Sequence, residues 1–416
     1  MKRSITSISF FALIFPFWTM IASVRYFKSD YAKNLFWYGC AFMGLLHIFN
    51  PVGGSGSDGV RYAAALVNMY NNPLDFNTII GYLYAEGGKL DVYQVVLTFV
   101  ISLFTNNPHI LFLAFAIVFG YFFSQNIWLL LNRAENENLK WWIWVIVAAF
   151  IFVNPVWNIN GVRMYTALQV FIYGVFSFYL SDNKFKICWV FLSVFFHFSF
   201  LIPACLFVIY LILPKKNITV FFILYFACSI FNEIDIESLK DKVVGVVPEV
   251  FSDKANTYMN EDYAISAKEG KNNFALYIHI AEKLSKAFIY SILIFFWLNV
   301  KSLFKNELHR NFLIMFLFFG SIIELLSSIP SMSRFYMLQN MIFYALLLLI
   351  LFDNKDINSK LHKFTSYFVL LIFLPVLFDI RKGFEFYGLS LLWGNFVSAF
   401  ALNDNLPLID IVKSIL

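Results

Sequence analysis

The sequence predicts an all-α, polytopic integral membrane protein, and three observations predict it. The 416 residues are 60% hydrophobic and 20% aromatic, and only 14% are charged. A soluble chain of this size cannot hide that much apolar surface. Several apolar runs are long enough to cross a hydrocarbon layer, and only helices close all their backbone hydrogen bonds within such a run. Cations also collect in the loops that alternate between those runs, as the positive-inside rule requires. The whole chain reads as one multi-span domain of about 12 transmembrane helices, with interfacial helices in the outer loops. The net charge of +5 carries little by itself, because its distribution sets topology.

Taken in order, the candidate spans are 4–24, 35–52, 107–131, 141–157, 163–180, 218–232, 284–300, 312–329, 335–352 and 364–380. The run 187–213 is too long for one span. His197 and Pro203 interrupt it near the middle, so it reads as two short helices that enter and return. That choice places Arg25, Lys28, Lys33, Arg133, Lys140, Lys184, Lys186, Lys215, Lys216, Lys301, Lys305, Arg310, Lys355, Lys360 and Lys363 on the inner side. The short outer connections 158–163 and 330–334 hold one arginine each. Lys2 and Arg3 then fall outside, against the rule, which the three cations of the next loop outweigh. The first run does not read as a clean signal peptide, since Arg25, Tyr26 and Phe27 stand where a cleavage site needs small residues.

Two outer regions are large. Region 53–106 opens on a glycine-rich turn and continues with short helices expected at 58–71, 74–84 and 91–105; the last is too short to span comfortably and suits the interface. Region 233–283 is charged with both signs and reads as a solvated lid or loop. Residues 381–416 read as an aromatic interfacial segment or a further span. The four cysteines sit in or beside apolar runs without metal spacing, as buried small hydrophobes do. No phosphate-loop, dinucleotide or zinc-peptidase motif occurs, and nothing suggests nucleic acid.

The residues able to carry chemistry fall on the expected outer face: Asp58 with Arg61 and Tyr62, Asp91, Asn160 with Arg163, His197, and Arg334. Each has a plainer reading. Asp58 and Asp91 stand where a helix N-cap would. Arg163 and Arg334 could snorkel to the interface as anchors. His197 could be a satisfied core histidine. Glu324, in the middle of a span, needs a partner or a proton. What favours chemistry is that the group shares one face. Two arginines offer planar forks of donors that suit a diphosphate, and two carboxylates and a histidine supply a base and an orienter. Ala167, Val170, Gly174 and Ser177 recur at helical spacing, so the span that starts at Arg163 should pack closely and turn that arginine inward.

The run Asn160-Gly161-Val162-Arg163-Met164-Tyr165, a span, a basic hinge, and then Phe196-His197-Phe198-Ser199-Phe200-Leu201-Ile202-Pro203 resembles the EpsG-type polysaccharide-assembly family, which is itself similar to O-antigen polymerases. Asp58 with Tyr62 looks like the family's upstream D-x-x-x-Y, and Arg334-Phe335-Tyr336 is similar to its late R-F motif. Val92-Tyr93 replaces the family's Pro-Gly after the acidic residue at Asp91, and Phe200 replaces a small residue. The resemblance covers about 53–213 and 325–340. It implies a GT-C-like glycosyltransferase of the inner membrane that moves a glycan from undecaprenyl diphosphate onto another lipid-linked repeat unit, in O-antigen or exopolysaccharide synthesis. It implies no cofactor and no metal, an undecaprenyl-diphosphate-linked oligosaccharide and membrane lipid as partners, and a chain-length regulator as a candidate partner. Asp58 is then the first choice of base and His197 the second, with Asp91 a further catalytic candidate. Arg163 and Arg334 would bind the diphosphate, aided by Arg61, Tyr62 and Asn160. The alternative is a flippase for lipid-linked glycans; against it, the chain has no internal repeat and its key charges sit at one face rather than the midplane. An acyltransferase would need His197 and leave the arginines unexplained.

Overall fold

The computed structural model describes residues 10–49, 57–75, 91–135, 137–181, 183–230, 275–327, 329, 332–353, 359–401 and 404–415. Among these residues every regular element is helical. The helices used below are α1 (Pro16–Arg25), α2 (Ala32–Leu45), α3 (Asp58–Asn71), α4 (Val92–Ser102), α5 (Pro108–Leu131), α6 (Trp141–Val153), α7 (Val162–Leu180), α8 (Cys188–Phe196), α9 (Leu201–Ile212), α10 (Ile218–Ile230), α11 (Leu276–Leu298), α12 (Glu307–Leu326), α13 (Tyr336–Asp353), α14 (Lys360–Phe368), α15 (Leu370–Gly383) and α16 (Leu408–Ile415). The expected helix at 74–84 lies almost wholly outside the described residues; of the expected loop 233–283 only 275–283 are described, and there α11 already begins at Leu276.

Among the described residues, four runs are long and apolar enough to cross a membrane: Pro108–Leu131, Trp141–Leu180, Glu307–Leu326 and Met332–Asp353. A fifth arises if α14 and α15, bent by 48° at their junction, count as one. The chain is therefore a membrane protein by length and composition of its helices. Residues 381–416 hold no helix of spanning length among those described; α16 is eight residues.

The chain divides into two compact units. The first comprises Met1–Leu139, Asn154–Ala204 and Asp379–Leu416, and the second Lys140–Val153 and Cys205–Phe378. In the first, α2 lies along α5, α1 packs on α2, and α7 packs between α5 and α8. Asn107 caps α5 by accepting from the His109 N–H, and Pro108 takes the first helical position, where a missing N–H costs nothing. The small-residue face of α7 is buried as its spacing predicts: Ala167, Val170 and Ser177 are 0% exposed. Gly174 is the close approach, since a Cβ there would meet the backbone N of Val190 at 2.6 Å. With glycine, α8 can lie back along α7.

That hairpin sets the site. The 19 residues of α7 rise about 28 Å. The four-residue 3-10 turn Lys184–Ile187 and the nine-residue α8 together recover about 22 Å of it. The end of α8 thus comes back most of the way towards the start of α7, and Asp91, bonded to both Arg163 and His197, closes the remaining gap. The chain breaks at His197, in extended conformation with φ −152° and ψ 120°. Pro203, expected to share in the break, lies instead in the first turn of α9, where a helix tolerates proline. In the second unit α12 packs against α10 and α13, and α13 against α6. Asn306 caps α12 by accepting from the Leu308 N–H.

Candidate active site

Asp91 is the centre of the site in the first unit. It occupies the N-cap of α4 but makes no cap hydrogen bond, so the plain capping reading does not describe it. Its side chain turns inward and is 3% exposed. Oδ2 accepts from Arg163 Nη1 at 2.8 Å. Oδ1 pairs with His197 Nδ1 at 3.0 Å and accepts from the Phe198 backbone N–H at 2.8 Å. Burial pushes this carboxyl up, but the hydrogen bond and charge of His197, the Phe198 N–H and the Arg163 charge outweigh it and hold Asp91 down at about 2. Asp91 is thus ionised and its oxygens are occupied. An ionised carboxylate only accepts, so His197 Nδ1 carries a hydrogen and points it at Asp91.

Arg163 opens α7 and does not snorkel. Its Nε donates to Tyr62 OH at 3.0 Å, and its Cζ lies 5.9 Å from the centre of the Tyr62 ring. Nη2 has no partner among the described residues, and 29% of the side chain remains exposed. Tyr62 is 5% exposed on the inner face of α3. Burial pushes its phenol up to about 12, so it stays protonated.

Asp58, one turn before Tyr62, is not the cap of α3 either. Ser57 takes that place and accepts from the Val60 N–H. Asp58 pairs instead with Arg61, and both side chains keep solvent exposure. Asn160, on the 3-10 turn Val156–Gly161, presses its side-chain oxygen against Gly59, and that buried oxygen has no partner among the described residues. The turn is held from behind by a buried amide chain. Asn158 donates to Asn154, Asn154 donates to the Tyr165 carbonyl, Gln169 donates to the Asn154 carbonyl, and Asn126 donates to Gln169. Asn126, Asn154 and Gln169 are all 0% exposed. These amides make the start of α7 rigid, which is what a positioned guanidinium needs.

The structure therefore brings Tyr62, Asp91, Arg163 and His197 into one bonded group, with Asp58, Arg61 and Asn160 on the elements beside it. Arg334 belongs to the second unit, exposed on the 3-10 turn Met332–Phe335. Ser199 was missed from the sequence: its buried hydroxyl has no partner among the described residues, and its place two residues after His197 was the available signal. Residues 37–388 match the EpsG family. The chain belongs to the EpsG family. Every residue of the group lies within the matched range, and membership implies a role in polysaccharide assembly at a membrane. No curated protein and no solved structure matches this family member.

Proposed function

We propose that this EpsG family protein is a polysaccharide polymerase: a multi-pass, GT-C-like glycosyltransferase of about 12 helices in the bacterial inner membrane. It would transfer a glycan from undecaprenyl diphosphate to a hydroxyl of a second lipid-linked repeat unit at the outer face. The observation that carries the reading is Asp91 clamped between Arg163 and His197, which sets an imidazole beside a guanidinium edge that has no partner among the described residues. His197 Nε2 takes the acceptor proton as the new C–O bond forms at the anomeric carbon. The bond from that carbon to the diphosphate oxygen breaks, and the diphosphate leaves with the electron pair. Arg163 Nη2 stabilises the departing charge. Asp91 is a positioning residue that keeps the imidazole in its tautomer and balances the imidazolium when it forms. Asp58, engaged with Arg61, is the weaker choice of base, and His197 takes first place. Arg334 stays a phosphate-binding candidate in this reading.

A deletion strain tests the function. Stained surface polysaccharide should collapse from a ladder to a single repeat unit. Loss of all repeats would mean a flippase or an earlier step and would sink the polymerase reading. Single-cysteine labelling from outside tests the side: position 61 should label with an impermeant reagent and position 184 should not.

A further inference from the structure

We propose that the second unit carries a saccharide-binding site centred on Glu324, which recognises hydroxyl groups of the repeat-unit glycan. This deepens the polymerase reading and rests on it for the identity of the sugar. Four helices each send a pair of residues, three or four positions apart, to one cluster. They are Tyr225 and Ser229 from α10, Lys286 and Tyr290 from α11, Gly320 and Glu324 from α12, and Tyr336 and Gln339 from α13. That spacing puts both members of each pair on one helix face, and sites in helical bundles are built this way.

The contacts tie the faces together. Tyr336 OH donates to Glu324 Oε2 at 2.6 Å. Gln339 Nε2 donates to Tyr225 OH at 3.0 Å. The Tyr225 and Tyr290 rings lie 6.4 Å apart, and Lys286 Nζ sits 5.3 Å from the centre of the Tyr336 ring. Gly320 makes the approach possible. A Cβ there would come within 2.7 Å of the Tyr225 ring and 3.2 Å of Gln339 Nε2.

The cluster has acceptors left over. Glu324 is 4% exposed, and among the described residues its hydrogen-bond partner is one phenol, with no cation in ion-pair contact. Gln339 is 2% exposed and its Oε1 has no partner among the described residues; the buried Ser229 hydroxyl has none among them either. Buried acceptors left unmet are a standing cost, so an arrangement kept this way fits a ligand that donates. One carboxylate and one amide are too few hard ligands for a divalent cation. Several hydroxyls on a ring with apolar C–H faces match them, because the hydroxyls meet the carboxylate and amide while the faces lie on tyrosines. Lys286 then offers donors to the ring oxygens or to an acidic substituent.

The test uses the full-length protein in lipid nanodiscs and two probes. One is the host's own repeat-unit oligosaccharide, freed from its carrier by mild acid. The other is sugar-free undecaprenyl diphosphate. Calorimetry should show that the wild type binds both. Glu324→Gln and Gln339→Leu should each weaken oligosaccharide binding by about tenfold, the scale of one lost hydrogen bond, and leave undecaprenyl diphosphate unmoved. If Gln339→Leu fails to fold, Ser229→Ala replaces it as the second variant, with the same loss expected in kind. No oligosaccharide binding by the wild type, or unchanged binding by two folded variants, overturns the proposal. Arg163→Ala should do the reverse and lose undecaprenyl diphosphate alone. If it does not, the phosphate role of Arg163 falls while the saccharide site stands.

Discussion

The two units each bury a carboxylate, and they treat it in opposite ways. Asp91 is met by a guanidinium, an imidazole and a backbone N–H. Among the described residues Glu324 is met by a single phenol. A carboxylate with all its hydrogen bonds made holds other groups in place. One with bonds to spare is available to a ligand. In the reading proposed above, the first arrangement makes Asp91 a positioning residue and leaves the chemistry to Arg163 and His197, and the second makes Glu324 a recognition residue.

The largest expected effect breaks the saturated side of this comparison. Asp91→Ala leaves Arg163 and His197 without their shared counter-charge, a change that typically costs about 3–5 kcal/mol. Thermal unfolding of the purified protein should shift down strongly, and the surface polymer ladder should vanish. A fully active Asp91→Ala would remove the clamp from the argument. Next comes the choice of base. His197→Ala should lower the polymerisation rate by about 10²–10⁴ in a folded protein, while Asp58→Asn should cost far less. In vitro rates with the lipid-linked repeat unit decide it, and the opposite order would restore Asp58 as the base.

Arg163→Lys is the sharper probe of the same group. It keeps the charge but loses the fork that bonds Tyr62 and Asp91 while leaving Nη2 for phosphate. A loss of about 2–4 kcal/mol of transition-state stabilisation is expected at normal expression, the usual scale for removing one such donor. The defect should be non-additive with Arg334→Lys if both serve one diphosphate. Defects that simply multiply would give the two arginines separate roles. The smallest effect is on stability against pH. Asp91 is held at about 2, below its ordinary 3.8, so its contribution is complete above about pH 4 and is lost as pH falls through about 2. It amounts to about 2 kcal/mol. Asp91→Asn should flatten that acid limb of a stability profile, and an unchanged limb would assign it to other carboxylates.

Parts of this were legible beforehand. The helix at 58–71 was expected from the glycine-rich turn before it, and α3 has those bounds. The interruption at His197 was expected from a histidine inside an apolar run. The close packing of α7 was expected from Ala167, Val170, Gly174 and Ser177. The Glu324 cluster was not legible beyond the statement that a mid-span carboxylate needs a partner. Tyr225, Lys286, Tyr290 and Gln339 look like ordinary span residues, and they lie on four helices far apart in the chain.

The sequence by itself determined the class, because 60% hydrophobic residues in apolar runs leave only membrane helices. It also singled out the candidate site residues, because charged side chains beside lipid are costly and stand out against apolar neighbours. The tertiary structure decided which of them touch. Asp91 lies 72 residues from Arg163 and 106 from His197 along the chain. No local pattern reports that pairing, which depends on α8 folding back along α7 past Gly174. Asp91 and Asp58 look alike as sequence, each ahead of a short helix. Only their surroundings separate them: one is buried among cations and held ionised, and the other is half in solvent beside Arg61.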